Sequence, residues 1–215
     1  MSTMTDTLHN EEALFIPSEE TAREEYIPKV AGEYLGHIVN ARTVTREFTR
    51  EDRQMKARIF NFKVRVAPEN KGQKYKFQDR DGNHRDVTGE HYIDWEVVAD
   101  GVFRYLEPTA KDTFESYAEG NKKYLMFCQS LGMTIPTEER TVNGKTVTVQ
   151  ILPSIDENTL NGTPVVAVVG RGRDWVNDKG ETVPSWRCKF TKHWAQGTKL
   201  TTTKTATTTT DDLPF

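Results

Sequence analysis

The segment KARIFNFKVRVAP, residues 56–68, decides the fold, because its apolar residues recur at every second position. In an extended chain its side chains divide between an apolar face and a polar, basic face: Phe60, Phe62, Val64 and Val66 against Asn61, Lys63 and Arg65. A period of two is typical of a half-buried β-strand. We therefore predict a strand whose apolar face, with Phe60 and Phe62, lies in a core.

Further strands are predicted on both sides of this segment. β-Branched and aromatic residues indicate strands at 33–44, 91–100, 163–176 and 181–194. Turn residues indicate hairpins at 69–90, with its tip at Asp81-Gly82, and at 140–152, on Asn143-Gly144. In 109–132 the apolar spacing changes to i, i+3, i+4, i+7, which predicts a helix. Gly132 is its predicted stop, and Gly120-Asn121, in its middle, is the point where the helix can break in two.

The order of these elements predicts the fold class. We expect a mainly β protein with an oligonucleotide/oligosaccharide-binding (OB)-fold-like, five-stranded antiparallel barrel. One helix would lie between strands 3 and 4, and the 140–152 segment would be an extra hairpin.

The composition divides the 215-residue chain into three parts. Residues 1–28 are predicted to be an acidic, weakly ordered arm, 29–195 the folded domain, and 196–215 a threonine-rich flexible tether with an acidic tip. No apolar run approaches the ~20 residues of a membrane span, and the first residues lack the pattern of a signal peptide. Two cysteines argue against a disulfide framework. We expect a protein of the bacterial cytoplasm, including that of a phage-infected host, with no membrane partner.

The charge is unevenly distributed along the chain. The whole chain carries a net charge of -3, but residues 1–25 carry -6 and 201–215 carry -1, so the intervening part carries +4. Between Arg42 and Arg65 eight bases stand against three acids. A local excess of this kind predicts a docking surface for a polyanion.

Basic and aromatic residues interleave in three segments. The predicted DNA-binding residues are Arg42, Arg46, Arg58, Lys63 and Arg65 in the first; Lys74, Tyr75, Lys76 and Phe77 in the second; and Arg171, Arg173, Trp175, Trp186, Lys189, Lys192 and Trp194 in the third. Stacking of an unpaired base on an aromatic ring contributes ~1–3 kcal/mol whatever the base, and bound cations release counterions from the phosphates. The combination favours single-stranded DNA with little sequence preference. Trp175, Trp186 and Trp194 stay open between a core role and a stacking role.

Other chemistries are less well supported by the sequence. Asp94 and Glu96 share a strand face, as the acidic ligands of a metal-dependent nuclease do, and this is kept as an alternative. A strand-annealing recombination protein is a second alternative with the same binding chemistry. No nucleophile, base and oxyanion site assembles in the sequence, so we expect no enzyme, no cofactor and no metal. The sequence leaves the oligomeric state open and allows a homo-oligomer.

The last residues carry a resemblance to a known family. Asp211-Asp212-Leu213-Pro214-Phe215, after a threonine-rich run, resembles the acidic tip of bacterial and phage single-stranded DNA-binding proteins. The segment LNGTPVVAVVGRGRDWVNDKGETVPSW, residues 160–186, is similar to a strand, turn and return strand of the phage-encoded members.

The resemblance implies a role for each residue of the tip. Phe215 would fill an apolar pocket on a partner and Leu213 would add apolar contact, while Pro214 would keep the tip extended. Asp211 and Asp212 would engage a basic rim on that partner. The implied partners are enzymes of DNA replication, recombination and repair, recruited to single-stranded DNA that the domain binds and protects.

Overall fold

Strand β2 (Arg53–Val66) lies in the wall of a closed barrel, with its apolar face turned inward. Phe60, Phe62, Val64 and Val66 are all at most 4% exposed. Asn61 and Arg65 are exposed on the other face, with Lys63 between them half-buried. The predicted division of this strand into a core face and a basic face is therefore confirmed.

The computed structural model describes residues 28–50, 53–78, 82–107, 120–142 and 144–200. The remaining strands of the described residues are β1 (Gly32–Arg50), β3 (Lys74–Gln78), β4 (His84–Thr88), β5 (Glu96–Ala99), β6 (Val102–Glu107), β7 (Thr137–Val142), β8 (Lys145–Gln150), β9 (Pro164–Arg171), β10 (Trp175–Val176), β11 (Thr182–Val183) and β12 (Trp186–His193). The α-helices are α1 (Lys122–Ser130) and α2 (Glu157–Leu160), and two 3₁₀ turns span Pro68–Asn70 and Gly89–Tyr92. None of the described helices has the length and apolar character needed to cross a membrane.

Five strands form the barrel, in the order β1-β9-β12-β5-β2, and β2 pairs with β1 to close it. A sixth strand, β6, pairs with the first half of β2 and extends the sheet beyond the barrel. The prediction of a mainly β protein with a five-stranded barrel is confirmed. The barrel is not wholly antiparallel, because β12 runs parallel to β5 at Arg187 and Cys188. Along the chain α1 lies between β5 and β9.

A bulge lets β1 serve two walls of the barrel. The strand extends to residue 50, well past the predicted end at 44, and its register with β2 shifts between Val39 and Arg42. Asn40 has φ +54° there. The displaced backbone is bonded by side chains of the α2 region, since Ala41 N–H donates to Asn161 Oδ1 (3.0 Å) and Thr43 N–H to Glu157 Oε1 (2.7 Å). Such a bulge bends the strand without leaving its donors unpaired.

A cluster of aromatic rings fills one part of the core. The Tyr34 and Tyr75 rings stack at 4.4 Å, and Tyr92 and Trp95 meet Tyr34 edge-on. Burial raises the pKa of Tyr92 to about 12. The strand predicted at 91–100 is only four residues long in the structure, Glu96–Ala99. It is short because residues 89–92 form a 3₁₀ turn that buries Tyr92, and because Asp94 has φ +63°.

Asn70 joins the segments around this cluster. It is fully buried, and its Oδ1 accepts from Leu35 N–H (3.0 Å) and from Tyr75 Oη (3.1 Å). Its Nδ2 donates to the carbonyl oxygens of Leu35 and Ala67, at 2.7 Å each. One side chain thus satisfies the Leu35 N–H and adds a second bond to two carbonyl oxygens that backbone N–H groups already bond.

The predicted helix and extra hairpin are both present in part. The described helix is Lys122–Ser130, while 108–119 lie outside the described residues. Gly132, with φ +78°, follows its end and provides the predicted stop. Cys128 is buried on α1. β7 and β8 form the hairpin three residues earlier than predicted at its start, and Gly144 has φ +77° at the turn.

The packed part of the chain extends to Leu200, beyond the predicted boundary at 195. Leu200 N–H donates to Gly162 O (2.9 Å), and His37 Nε2 lies 3.0 Å from Thr198 O, within hydrogen-bond distance. Lys199 Nζ donates to two carbonyl oxygens of α2. Composition places residues 196–200 in the tether, but Leu200 bonds through its backbone and Lys199 through its side chain, which composition does not reveal.

Candidate nucleic-acid interface

One face of the β6-β2-β1 sheet continues into the outer wall of the barrel. Residues opposite each other in paired strands share a face, so the registers define its members. We call this the strand face; it includes Arg42, Val44, Arg46, Phe48, Ile59, Asn61, Lys63, Arg65, Glu96, Val98, Phe103, Tyr105 and Arg187. It carries five basic residues and three aromatic rings, against one carboxylate.

The rings of the strand face form a cluster beside its first two arginines. The Phe48 ring lies 6.4 Å from Phe103 and 6.3 Å from Tyr105. Arg42 and Arg46 are exposed on the neighbouring positions of β1. This places cations and rings together on one surface, the arrangement that a single strand of nucleic acid requires.

Glu96 occupies the centre of the basic positions in the barrel wall. Its Oε2 accepts from Lys63 Nζ at 2.9 Å, and its Oε1 accepts from Arg65 Nη2 at 2.8 Å. The hydrogen bonds from Arg65 and Lys63 lower the pKa of the Glu96 carboxyl, so it is ionised at neutral pH. One carboxylate thus pairs with two cations that stand two residues apart on β2.

A groove opens in the barrel wall next to the strand face. Residues 188–193 of β12 and residues 99–103 around the start of β6 line this space, which has a volume of about 880 Å³. Asp100 and Gly101 form the turn between β5 and β6, and a bulge near Lys189 interrupts the alternation of β12, so both segments present consecutive residues to the groove. Among the described strands, β12 meets β5 only at residues 187 and 188, and beyond that point the wall is open.

The groove has an aromatic floor, exposed apolar walls and a basic rim. The parallel rings of Phe62 and Phe127, 5.3 Å apart, lie at its base. Phe190 is 53% exposed, Met126 56% and Phe103 39%. Lys123, Lys189 and Lys192 also line it, together with Asp100. Because Phe103 and Tyr105 belong to both surfaces, the groove and the strand face are continuous.

The two lysines of β12 each have a carboxylate partner. Lys189 Nζ lies 3.1 Å from Asp100 Oδ2, and Lys192 Nζ bonds Glu33 Oε1. All four side chains are well exposed. These are surface pairs, which contribute only ~0–1 kcal/mol each, so other anions can displace them.

Six predicted binding residues lie on these two surfaces. The structure places Arg42, Arg46, Lys63 and Arg65 on the strand face and Lys189 and Lys192 on the groove. Arg58 is an exception in the first segment. It lies opposite Thr45 and Arg104, on the other face of β2, because it is offset from Lys63 by an odd number of residues.

The second predicted segment belongs to a separate two-stranded sheet, β3-β4. Tyr75 is buried against Tyr34 and its hydroxyl bonds Asn70, and Phe77 is half-buried against the core. Lys74 and Lys76 are exposed. Burial of Tyr75 argues against the predicted stacking role, because its ring packs against Tyr34 and Tyr92 and its hydroxyl bonds within the protein.

The third predicted segment is divided among several environments. Trp175 is 54% exposed on the β10-β11 hairpin, near the exposed Arg173. Trp186 is half-buried, with the Arg171 guanidinium 5.6 Å from its ring, and Arg171 also bonds Asp174. Trp194 is 7% exposed and contacts His37, which makes it a core residue in this conformation.

The acidic pair of the nuclease alternative does not share one environment. Asp94 lies in the turn before β5, while the Glu96 carboxylate is bonded by two cations. The part of the chain that the structure describes contains no group of three or more His, Cys, Asp or Glu residues able to hold a metal ion. The tip residues Asp211, Asp212, Leu213, Pro214 and Phe215 lie outside the described residues.

Several residues of the two surfaces were not predicted. Phe103, Tyr105, Met126, Phe190 and Lys123 line the groove. The only sequence signal for Phe190 was its position between Lys189 and Lys192. The groove itself could not be predicted, because it is formed by strand edges that are distant in sequence.

Comparison of the chain with protein-family models, with curated proteins and with solved structures gives no match. Function is therefore inferred from the geometry and chemistry of the strand face and the groove.

Proposed function

We propose that this protein binds and protects single-stranded DNA with little sequence preference and has no catalytic activity of its own. The observation that carries the proposal is the continuity of the strand face with the groove. Together they offer several cations beside exposed aromatic rings. Such a surface contacts phosphates and base faces, which only an unpaired strand presents together.

The topology supports an OB-like barrel. Counted in chain order, the barrel strands are joined as 1-2-3-5-4-1, and strand 5 is parallel to strand 3. OB folds bind oligonucleotides on the face of strands 2 and 3, between the 1-2 and 4-5 connections. Here those strands are β2 and β5, which carry Lys63, Arg65 and Val98. Trp175 lies in the 4-5 connection, and Arg46 lies near the end of β1 that leads to the 1-2 connection.

The groove adds a place where bases that leave the stack can bind. A base that leaves the stack can lie against Phe103 and Phe190 while the backbone follows the lysines of the rim. Stacking contributes ~1–3 kcal/mol per base and requires no particular base. A duplex keeps its bases stacked inside, so it gains only the phosphate contacts. Single strands are therefore preferred.

The C-terminal tip is proposed to recruit enzymes of replication, recombination and repair. Leu200 is held beside Gly162, so residues 201–210 extend at most ~33–36 Å from that point, at ~3.3–3.6 Å per residue. This radius is shorter than a tether starting at 195 would allow. A partner bound to the tip would thus stay close to the DNA on the barrel.

Binding to oligonucleotides of deoxythymidine tests the proposed function. We expect oligo-dT to quench tryptophan fluorescence, mainly through Trp175, and to bind more tightly than duplex DNA of equal length. Affinity should fall steeply with salt, by a log–log slope of about -0.7 per phosphate contacted. No response, or one that salt does not change, would contradict the proposal. Accelerated pairing of complementary oligonucleotides would instead favour the strand-annealing alternative.

Removal of the tip tests whether its negative charge opposes DNA binding. A chain ending at Thr210 should bind oligo-dT as tightly as the full chain or more tightly, because Asp211 and Asp212 repel phosphates. The same gel-shift titration, run on both chains in parallel, measures this. Substitution of Phe215 by alanine in the full chain keeps both charges and is the matched control. A truncated chain that binds more weakly than the Phe215→Ala variant would contradict this charge-based expectation.

A further inference from the structure

Four cations of the proposed interface are paired with carboxylates of the protein itself. Glu96 pairs with Lys63 and Arg65, Asp100 with Lys189, and Glu33 with Lys192. These three carboxylates come from three different segments. The other basic residues of the strand face, Arg42, Arg46 and Arg187, are not part of these pairs.

Among these pairs, the geometry at Glu96 differs from that of an ordinary surface pair. Each carboxylate oxygen bonds a different cation, at 2.9 Å and 2.8 Å, and the Glu96 side chain is 27% exposed. Lys63 and Arg65 occupy the same face of β2, so their charged groups are directed to one place outside the barrel wall. The Glu96 carboxylate lies where a phosphate of a bound strand would make the same two bonds.

We propose that Glu96 is an electrostatic gate of the strand face, whose carboxylate substitutes for a phosphate and is displaced when single-stranded DNA binds. This inference rests on the proposed function. The exchange replaces one anion with another, so binding at this position releases fewer counterions than two unpaired cations would. Glu96 thereby lowers both the affinity for DNA and its dependence on salt. A long strand, with many phosphates tethered together, displaces the carboxylate more effectively than a short one.

The test is substitution Glu96→Gln in the full chain, which keeps the shape of the side chain and removes its charge. We expect oligo-dT to bind about 5- to 20-fold more tightly at moderate salt. The log–log salt slope should become steeper by up to ~0.7, because one carboxylate no longer competes with one phosphate. A role limited to folding would not steepen this slope.

Glu90→Gln is the matched control, because Glu90 makes a single pair with Lys71 at 3.0 Å and lies off the strand face. Its affinity and slope should stay within twofold of the unmodified chain. Asp100→Asn is a second variant, expected to steepen the slope by ~0.7 through Lys189 alone. Binding by the unmodified chain with no change in affinity or slope in Glu96→Gln would overturn the gate. If the unmodified chain does not bind oligo-dT at any salt concentration, the proposed function fails and the gate fails with it.

Discussion

Replacing both Phe103 and Phe190 with alanine is expected to weaken oligo-dT binding by about 10²-fold or more. Each ring is well exposed in the groove, so each can stack on a base and contribute ~1–3 kcal/mol. Neither ring belongs to the buried core, and the free energy of unfolding should therefore change little. Fluorescence anisotropy with labelled oligo-dT, at fixed salt, measures the loss.

An abasic oligonucleotide separates stacking from other causes. Without bases, the double variant and the unmodified chain should bind equally, because only phosphate contacts remain. Val147→Ala on the β7-β8 hairpin, where the side chain is 37% exposed, controls for the removal of an exposed apolar group elsewhere. If the double variant lost as much affinity for abasic DNA as for oligo-dT, the rings would not be stacking platforms.

Replacing Asn70 with alanine is expected to lower the free energy of unfolding by about 2–4 kcal/mol. The substitution leaves the Leu35 N–H without its partner inside the protein, and the carbonyl oxygens of Leu35 and Ala67 each lose one bond while keeping one from a backbone N–H. Each buried group left unsatisfied costs ~1–3 kcal/mol, and water entering the cavity recovers part of this. Urea denaturation followed by circular dichroism gives the difference, provided the slope of the transition is unchanged.

Asn158→Ala is the control for this prediction, since Asn158 is exposed on α2. It should change the stability by no more than ~0.5 kcal/mol. Oligo-dT affinity of folded Asn70→Ala should be unaffected, because Asn70 lies in the core and not on the strand face. An unfolding midpoint equal to that of the unmodified chain would show that Asn70 does not hold β1 to the turn after β2.

The sequence predicted only part of the strand face. Alternation in residues 56–68 predicted that Lys63 and Arg65 point away from the core, and the structure confirms it. The same alternation, applied strictly, would have separated Arg58 from them, since it is an odd number of residues away. The pairing of Glu96 with both cations was not predictable, because it depends on β5 lying beside β2.

The aromatic residues show more clearly what the sequence could not predict, namely which rings are buried. Tyr75 and Trp194 stand among basic residues in the sequence, as stacking platforms do, yet both are buried. Phe190 also lies among lysines and is exposed, because a bulge near Lys189 in the β12-β9 pairing changes which face it occupies. Neighbours in sequence cannot distinguish these cases, since burial is decided by the strand or loop packed on top.

The sequence by itself determined the local elements: the two faces of β2, the hairpin at Gly144, the stop of α1 at Gly132 and the segregation of charge along the chain. Their information lies in periodicity and in backbone preference, which act over a few residues. Only the tertiary structure decided that β12 leaves β5 after two residues, and so opened the groove between Phe103 and Phe190. The physical reason is that a strand edge has no signature of its own, and whether it is paired depends on a partner distant in the chain.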